Sequence, residues 1–208
     1  MGVRMEIPKA VVFDLGKVLL EFDFQIFAKR LADESDIGAT EIMARVVDSN
    51  VLVEYEYGRT SSEQFYNQVK SISGFRGDYS SFECLFGEIF TEIPEMVDLH
   101  TRLKESGLPT YIFSNTNDIA VRIIRQQFEF FGGFSDYVLS FEHFSMKPDS
   151  ELYQVVEKVT GLKGSDLVFM DDKEENIHAA RQREWKGIVH VNSGETEAAL
   201  RDLGLKFD

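Results

Sequence analysis

Three short apolar runs in this sequence stop abruptly at residues able to do chemistry. Ala10–Phe13 ends at Asp14, Thr110–Phe113 at Ser114, and Leu167–Met170 at the pair Asp171-Asp172. A fourth run, Tyr137–Ser140, is followed by Lys147. A single Asp after an apolar run commonly does no more than open a turn. Three such endings, together with the lysine, are harder to assign to turn chemistry. Carboxylates, a hydroxyl and an ammonium gathered at one place suit a hard divalent cation beside a phosphate. The carboxylates offer oxygen ligands to Mg²⁺, and the hydroxyl and ammonium hold phosphate oxygens.

That chemistry requires the four runs to share an edge. Runs this short, apolar at successive positions, read as strands of a parallel sheet covered on both faces, and Gly187–Asn192 is a further candidate. Helical patterns lie between them. Pro94 opens one carrying Met96, Leu99 and Leu103 on a stripe, with Gly107 as its C-terminal cap. Pro148 opens another, with Leu152, Val155, Val156 and Val159 at helical spacing and Gly161 at its end. Alternating strand and helix predict an α/β fold, an open parallel sheet with helices on both faces. The carboxyl ends of its strands then line one edge, where such sheets bind ligands.

Residues 22–92 break the alternation. They carry no convincing strand but four helical stretches, Phe24–Glu34, Ala39–Asn50, Ser61–Ile72 and Tyr79–Phe90, the third with Thr60 and Glu63 as a capping box. So much helix after the first strand far exceeds a usual connection of about 2–6 residues and predicts a helical cap overhanging the site. The expected division is a core of residues 1–21 and 93–208 with a cap of residues 22–92. Phe22 and Phe24, at the entry to the cap, suit the wall of a pocket.

Composition narrows the function classes. Among 208 residues, 22 Lys+Arg stand against 36 Asp+Glu, a net charge of −14. That balance argues against partners such as nucleic acid or an anionic membrane surface, both of which select clustered positive charge. The lone Cys84 cannot close an internal disulfide. Residues 1–10 lack the apolar stretch of a signal peptide, and no apolar run approaches the roughly 20 residues of a membrane span. A soluble, cytoplasmic protein is the expectation. The four histidines, His100, His143, His178 and His190, show no metal-ligand spacing and read as ordinary residues.

The chain resembles the haloacid dehalogenase-like hydrolase superfamily in four motifs taken in order. They are Val11-Val12-Phe13-Asp14-Leu15-Gly16-Lys17-Val18-Leu19, then Tyr111-Ile112-Phe113-Ser114-Asn115-Thr116, then Lys147-Pro148, then Val168-Phe169-Met170-Asp171-Asp172 with Asn176-Ile177 downstream. The Asp-Leu-Gly start, the Ser-Asn-Thr-Asn run, the Asp-Asp pair and the stretch Glu56-Tyr57-Gly58-Arg59-Thr60-Ser61 are most similar to its sugar-1-phosphate phosphatase subgroup. The resemblance implies a Rossmann-like core and hydrolysis of a small phosphorylated metabolite, a sugar phosphate, through an aspartyl-phosphate on Asp14. It implies Mg²⁺ held by the Asp14 carboxylate, the Gly16 carbonyl and Asp172, with Asp171 beside or among the ligands. Ser114, the Asn115 backbone and Lys147 would hold the phosphoryl oxygens.

One departure matters. Most phosphatases of this superfamily carry a second Asp two residues after the nucleophile, as acid for the leaving group and base for water. Here that position is Gly16, and Lys17 beside it is also unusual. The missing acid favours leaving groups stable as anions, such as an anomeric sugar oxygen, unless a cap carboxylate such as Glu54 or Glu56 substitutes. Two alternatives remain in the same fold. A metal-free dehalogenase has no use for the Asp171-Asp172 cluster, whereas a catalytically weak binding or regulatory protein would tolerate the lost acid.

Overall fold

The computed structural model describes residues 6–208. The chain begins with β1 (Ala10–Phe13) and β2 (Leu20–Phe22). A helical block follows: α1 (Phe24–Asp33), α2 (Ala39–Ile42), α3 (Asn50–Glu56), α4 (Ser62–Ser73) and α5 (Tyr79–Gly87). β3 (Phe90–Glu92) leads out of it into α6 (Pro94–Glu105), β4 (Thr110–Ser114) and α7 (Asp118–Gln127). Then come β5 (Asp136–Leu139), the short α8 (Ser140–His143) and α9 (Ser150–Thr160). β6 (Leu167–Asp171), α10 (Glu174–Gln182), β7 (Lys186–Val189) and α11 (Ser193–Asp202) complete the chain.

Five strands form one parallel sheet in the order β5-β4-β1-β6-β7. Alternate residues of β1 and β6 feed two separate cores. Val11, Phe13, Val168 and Met170 pack in one, and Ala10, Val12, Leu167 and Phe169 in the other. Both faces are therefore buried, which is why these strands read as unbroken apolar runs rather than alternating ones. α9 and α10 cover one face through Leu152, Tyr153, Val156, Ile177 and Ala180. α6, α7 and the helical block cover the other. The helical block has an aromatic centre in which Phe27, Phe65, Phe82 and Phe86 meet edge to face, with ring centroids 5.3–6.3 Å apart.

Several local expectations need correction. The stretch from residue 22 to 92 is not free of strand: β2 and β3 pair antiparallel, Leu20 with Glu92 and Phe22 with Phe90, where the chain enters and leaves the helical block. Each has three residues, too few for a period of two to show, and their pairing spans about 70 intervening positions. The expected helix Ala39–Asn50 is interrupted. Met43–Val47 forms a π-helical turn after α2, and Ser49 then caps α3 by accepting from the Val51 N–H. The capping box of α4 is Ser61 with Gln64, one residue beyond Thr60 and Glu63. α9 starts at Ser150 with Asp149 at its N-cap, so Pro148 lies ahead of the helix. Among the described residues no helix is long and apolar enough to cross a membrane.

One histidine is a core residue. His100 on α6 is 2% exposed, stacks on Phe134 at 3.8 Å between ring centroids, and shares a 3.1 Å hydrogen bond with the Thr110 hydroxyl. Burial, helped by Lys104, holds its pKa down to about 4. The unfolded chain therefore binds this proton near pH 6.5 and the folded chain only near pH 4. Stability from this group is complete above about pH 6.5 and is lost as pH falls through that interval. Urea unfolding between pH 7 and pH 4 should show this loss, up to about 3 kcal/mol, diminished in His100→Gln. Parallel pH curves for the two proteins would refute it.

Candidate active site

Parallel strands bring their carboxyl ends together, and the expected residues do meet there. Asp14 continues β1, its N–H donating to the Met170 carbonyl at 2.9 Å. Its Oδ1 accepts from the Leu15 N–H at 2.7 Å and from Lys147 Nζ at 2.8 Å. Lys147 is 5% exposed, and its ammonium also donates to Asp171 Oδ2 at 2.6 Å and the Phe113 carbonyl at 2.9 Å. The three N–H bonds are thus all used, with the Phe113 and Phe169 rings 5.2 and 5.3 Å away. Burial opposes the charge on Lys147, but the two carboxylates outweigh it and hold the ammonium above its usual pKa. Burial and the neighbouring Asp171 push Asp14 up to about 7, against the pull of Lys147.

The two acids after β6 differ. Asp171 is fully buried. Its oxygens accept from Lys147, from the Lys173 N–H at 2.8 Å and from the Asn176 amide at 2.9 Å. Asp172 is half-buried and accepts no side-chain hydrogen bond among the described residues. Oxygens of Asp14, Asp171 and Asp172 lie within 4.8 Å of one another. Asn176 Oδ1 is buried nearby without a partner among the described residues. Three carboxylates around one ammonium leave excess negative charge in a buried place, and every free donor is a hard oxygen. The residues present therefore fit a hard divalent cation.

Ser114 is buried at the end of β4, and its hydroxyl makes only a long 3.4 Å contact to the Asn115 carbonyl. The Asn115 side chain is occupied elsewhere. It donates to the Lys147 carbonyl at 2.9 Å and accepts from the Lys147 N–H at 2.7 Å, tying the second motif to the third. Asn117, not Ser114 or Asn115, caps α7 by accepting from the Ala120 N–H.

Gly16 and Lys17 form the turn between β1 and β2. Lys17 has a left-handed φ of 63°, and its N–H donates to the Leu20 carbonyl at 2.7 Å. Its ammonium pairs with Glu21 and lies 4.9 Å from the Phe22 ring centroid. That ring packs directly on Gly16, where an added Cβ would come within 2.7 Å of it. The second acid that the resemblance would place here is therefore absent from a position that an aromatic side chain already covers.

Two adjoining cavities open above these residues. One, of about 140 Å³, holds Asp14, Lys17, Lys147, Asp172, Lys173 and Asn176 in its wall. The other, of about 60 Å³, is walled by Phe22, Phe24, Phe86, Phe90, Leu20 and Ile124, with Ser114 and Asn115 at its base. The helical block reaches over both through the end of α3. Tyr55 OH accepts from the Ile119 N–H at 3.0 Å, the Glu56 carbonyl accepts from Ser140 at 2.7 Å, and Tyr57 OH donates to Asp149 at 3.0 Å. Gly58 permits this approach, because a Cβ there would meet the Phe141 carbonyl at 2.0 Å. Glu56 lines both cavities, and burial raises its pKa to about 7 against the opposing charge of Lys173. Glu54 instead pairs with Arg59. In sequence Glu54 and Glu56 are equivalent, and nothing local marks Tyr55 or Ser140 as anchors; Gly58 is the local sign of a close approach.

The chain belongs to the haloacid dehalogenase-like hydrolase family, whose model matches residues 8–182. It is 26% identical to a sesquiterpene phosphatase of Aspergillus oryzae, covering 94% of this chain and 96% of that one. It is likewise 26% identical to a D-ribitol-5-phosphate phosphatase of Bacteroides thetaiotaomicron, covering 92% and 96%. A family enzyme from Bacteroides thetaiotaomicron, solved as a magnesium complex, shares its fold at a TM-score of 0.78 and 20% identity, covering 89% and 94%.

The buried ammonium generates a stability prediction. Removing it leaves Asp14 and Asp171 facing each other without a counter-charge. In the metal-free protein at pH 7, Lys147→Met should lower the unfolding free energy by about 3–5 kcal/mol. Urea denaturation measures this, and a loss below about 1 kcal/mol, as for an exposed ion pair, would show that the pair is not buried in solution.

Proposed function

We propose that the protein is a Mg²⁺-dependent phosphomonoesterase acting through an aspartyl-phosphate on Asp14. The observation that carries this reading is the clamped nucleophile: Lys147 and the Leu15 N–H hold Asp14 Oδ1, and Oδ2 remains for attack on phosphorus. Asp14, the Gly16 carbonyl and Asp172 are the proposed Mg²⁺ ligands. Asp171, with both oxygens already occupied by donors, orients Lys147 and supports the cluster from behind. Bound Mg²⁺ would offset the repulsion between an anionic nucleophile and an anionic ester. The Ser114 hydroxyl, the Asn115 backbone N–H and the charge of Lys147 hold the phosphoryl oxygens.

Residues 22–92 are the proposed cap, and the cavity beneath them selects the alcohol. Its aromatic wall of Phe22, Phe24, Phe86 and Phe90 favours a largely apolar alcohol. The sesquiterpene phosphatase relative supports that class. A sugar phosphate, expected from the motifs, is the second reading. It is supported by the D-ribitol-5-phosphate phosphatase relative and by the polar side of the cavity at Glu56, Ser114 and Thr116.

Asp14→Asn should lower phosphatase turnover by about 10³-fold or more while leaving the circular dichroism spectrum unchanged. Substantial residual activity would remove the nucleophile assignment. Asp172→Asn should raise the Mg²⁺ concentration for half-maximal activity more than Asp171→Asn does, and Asp171→Asn should cost more folding stability. Equal or reversed Mg²⁺ titrations would overturn the division of roles. For the substrate, kcat/KM should be at least roughly tenfold higher for an isoprenoid monophosphate than for glucose 1-phosphate or ribitol 5-phosphate. The opposite order would establish the sugar-phosphate reading instead.

A further inference from the structure

The two cavities share four lining residues: Gly16, Phe22, Glu56 and Asn115. This overlap has a chemical meaning once the reading above, on which the inference rests, is accepted. A phosphate ester with its phosphoryl group beside Asp14 and its carbon skeleton between the phenylalanines must pass its bridging oxygen through the shared wall. That oxygen leaves as an alkoxide unless a proton reaches it. Gly16 and Phe22 carry no exchangeable side-chain proton, and the Asn115 amide is bound to the Lys147 backbone. Lys17 lines only the phosphoryl side and is paired with Glu21. The carboxyl of Glu56 makes no hydrogen bond or ion pair among the described residues. The neighbouring anchors, Tyr55 to Ile119 N–H, the Glu56 carbonyl to Ser140 and Tyr57 to Asp149, fix its backbone against the core.

We propose that Glu56, on the overhanging helical block, is the acid and base that Gly16 does not provide. In the first half-reaction an Asp14 carboxylate oxygen bonds to phosphorus, and the bond from phosphorus to the bridging oxygen breaks. The bridging oxygen keeps that electron pair and takes the Glu56 proton, so the alcohol departs neutral. In the second, water attacks phosphorus and gives a proton to the Glu56 carboxylate. The bond from phosphorus to Asp14 breaks, phosphate leaves, and both carboxyl groups return to their starting states. Burial near neutrality suits both tasks, because Glu56 titrates at about 7. The arrangement also explains the glycine: Phe22 covers Gly16 and closes the apolar wall, so the acid is carried on the opposite side of the ester oxygen.

The test compares two esters in the intact protein with Mg²⁺. p-Nitrophenyl phosphate has a leaving group stable as an anion, whereas hexyl phosphate needs the proton. Glu56→Gln should lower kcat/KM for hexyl phosphate by about 10²–10⁴-fold and change that for p-nitrophenyl phosphate by less than about tenfold. Retained aryl turnover also shows that the variant folds. With the base lost as well, the variant should release a rapid burst of p-nitrophenolate matching the enzyme concentration before a slow steady state. Equal losses for the two esters, or no loss for either, would overturn the role of Glu56. Failure of the unmodified protein to hydrolyse either ester would instead refute the phosphomonoesterase reading and the role that rests on it.

Discussion

An ammonium buried among acceptors organises this molecule. Lys147 places its charge between Asp14, at the end of β1, and Asp171, at the end of β6, and its remaining N–H bond goes to the end of β4. Three parallel strands are thereby joined at their carboxyl ends by one side chain. An ion pair in so dry a place is stable only when further hydrogen bonds hold its charged groups. Asn176 and the Lys173 N–H complete Asp171, and the Asn115 amide locks the Lys147 backbone. What results is a carboxylate with one oxygen immobilised and the other unpaired.

Around that point the division of polarity is sharp. The sheet edge supplies charge, and the overhanging helices supply an aromatic wall. β2 and β3 bring Phe22 and Phe90 to the same cavity as Phe24 and Phe86. The cost of closing the first-strand turn is visible at Lys17, whose left-handed backbone is held by its N–H bond to Leu20 and by the pairing with Glu21. Phe22 then occupies the space above Gly16. In an active site built this way, the proposed proton donor has to come from across the cleft, and the rigid end of α3 is the element placed to carry it.

The legibility of these features follows their range in sequence. Strands buried on both faces announce themselves as apolar runs, so β1, β4 and β6 and the chemistry at their ends are readable within windows of a few residues, whereas the sheet-edge strands β5 and β7 are only partly buried. The stripes of α6 and α9 were equally plain, though Asp149 rather than Pro148 begins the latter. Elements made by distant partners were not readable. β2 and β3 exist because each pairs with the other, and nothing within the Ala39–Asn50 stretch itself marks the π-helical break at Met43–Val47.

The sequence by itself determined the α/β class, the inserted helical block and the gathering of Asp14, Ser114, Lys147, Asp171 and Asp172 at one edge. Parallel pairing makes that gathering a consequence of local pattern alone. The family resemblance already favours Asp172 over Asp171 as the ligand, but only the tertiary structure gives the physical distinction, because burial and the hydrogen bonds that saturate Asp171 depend on how the chain folds around it. The tertiary structure alone separated Glu54, paired with Arg59, from Glu56, which faces both cavities. Two acids two residues apart on one helix are alike in sequence. The direction each faces is decided by where Tyr55, Ser140 and Gly58 dock the helix against the core.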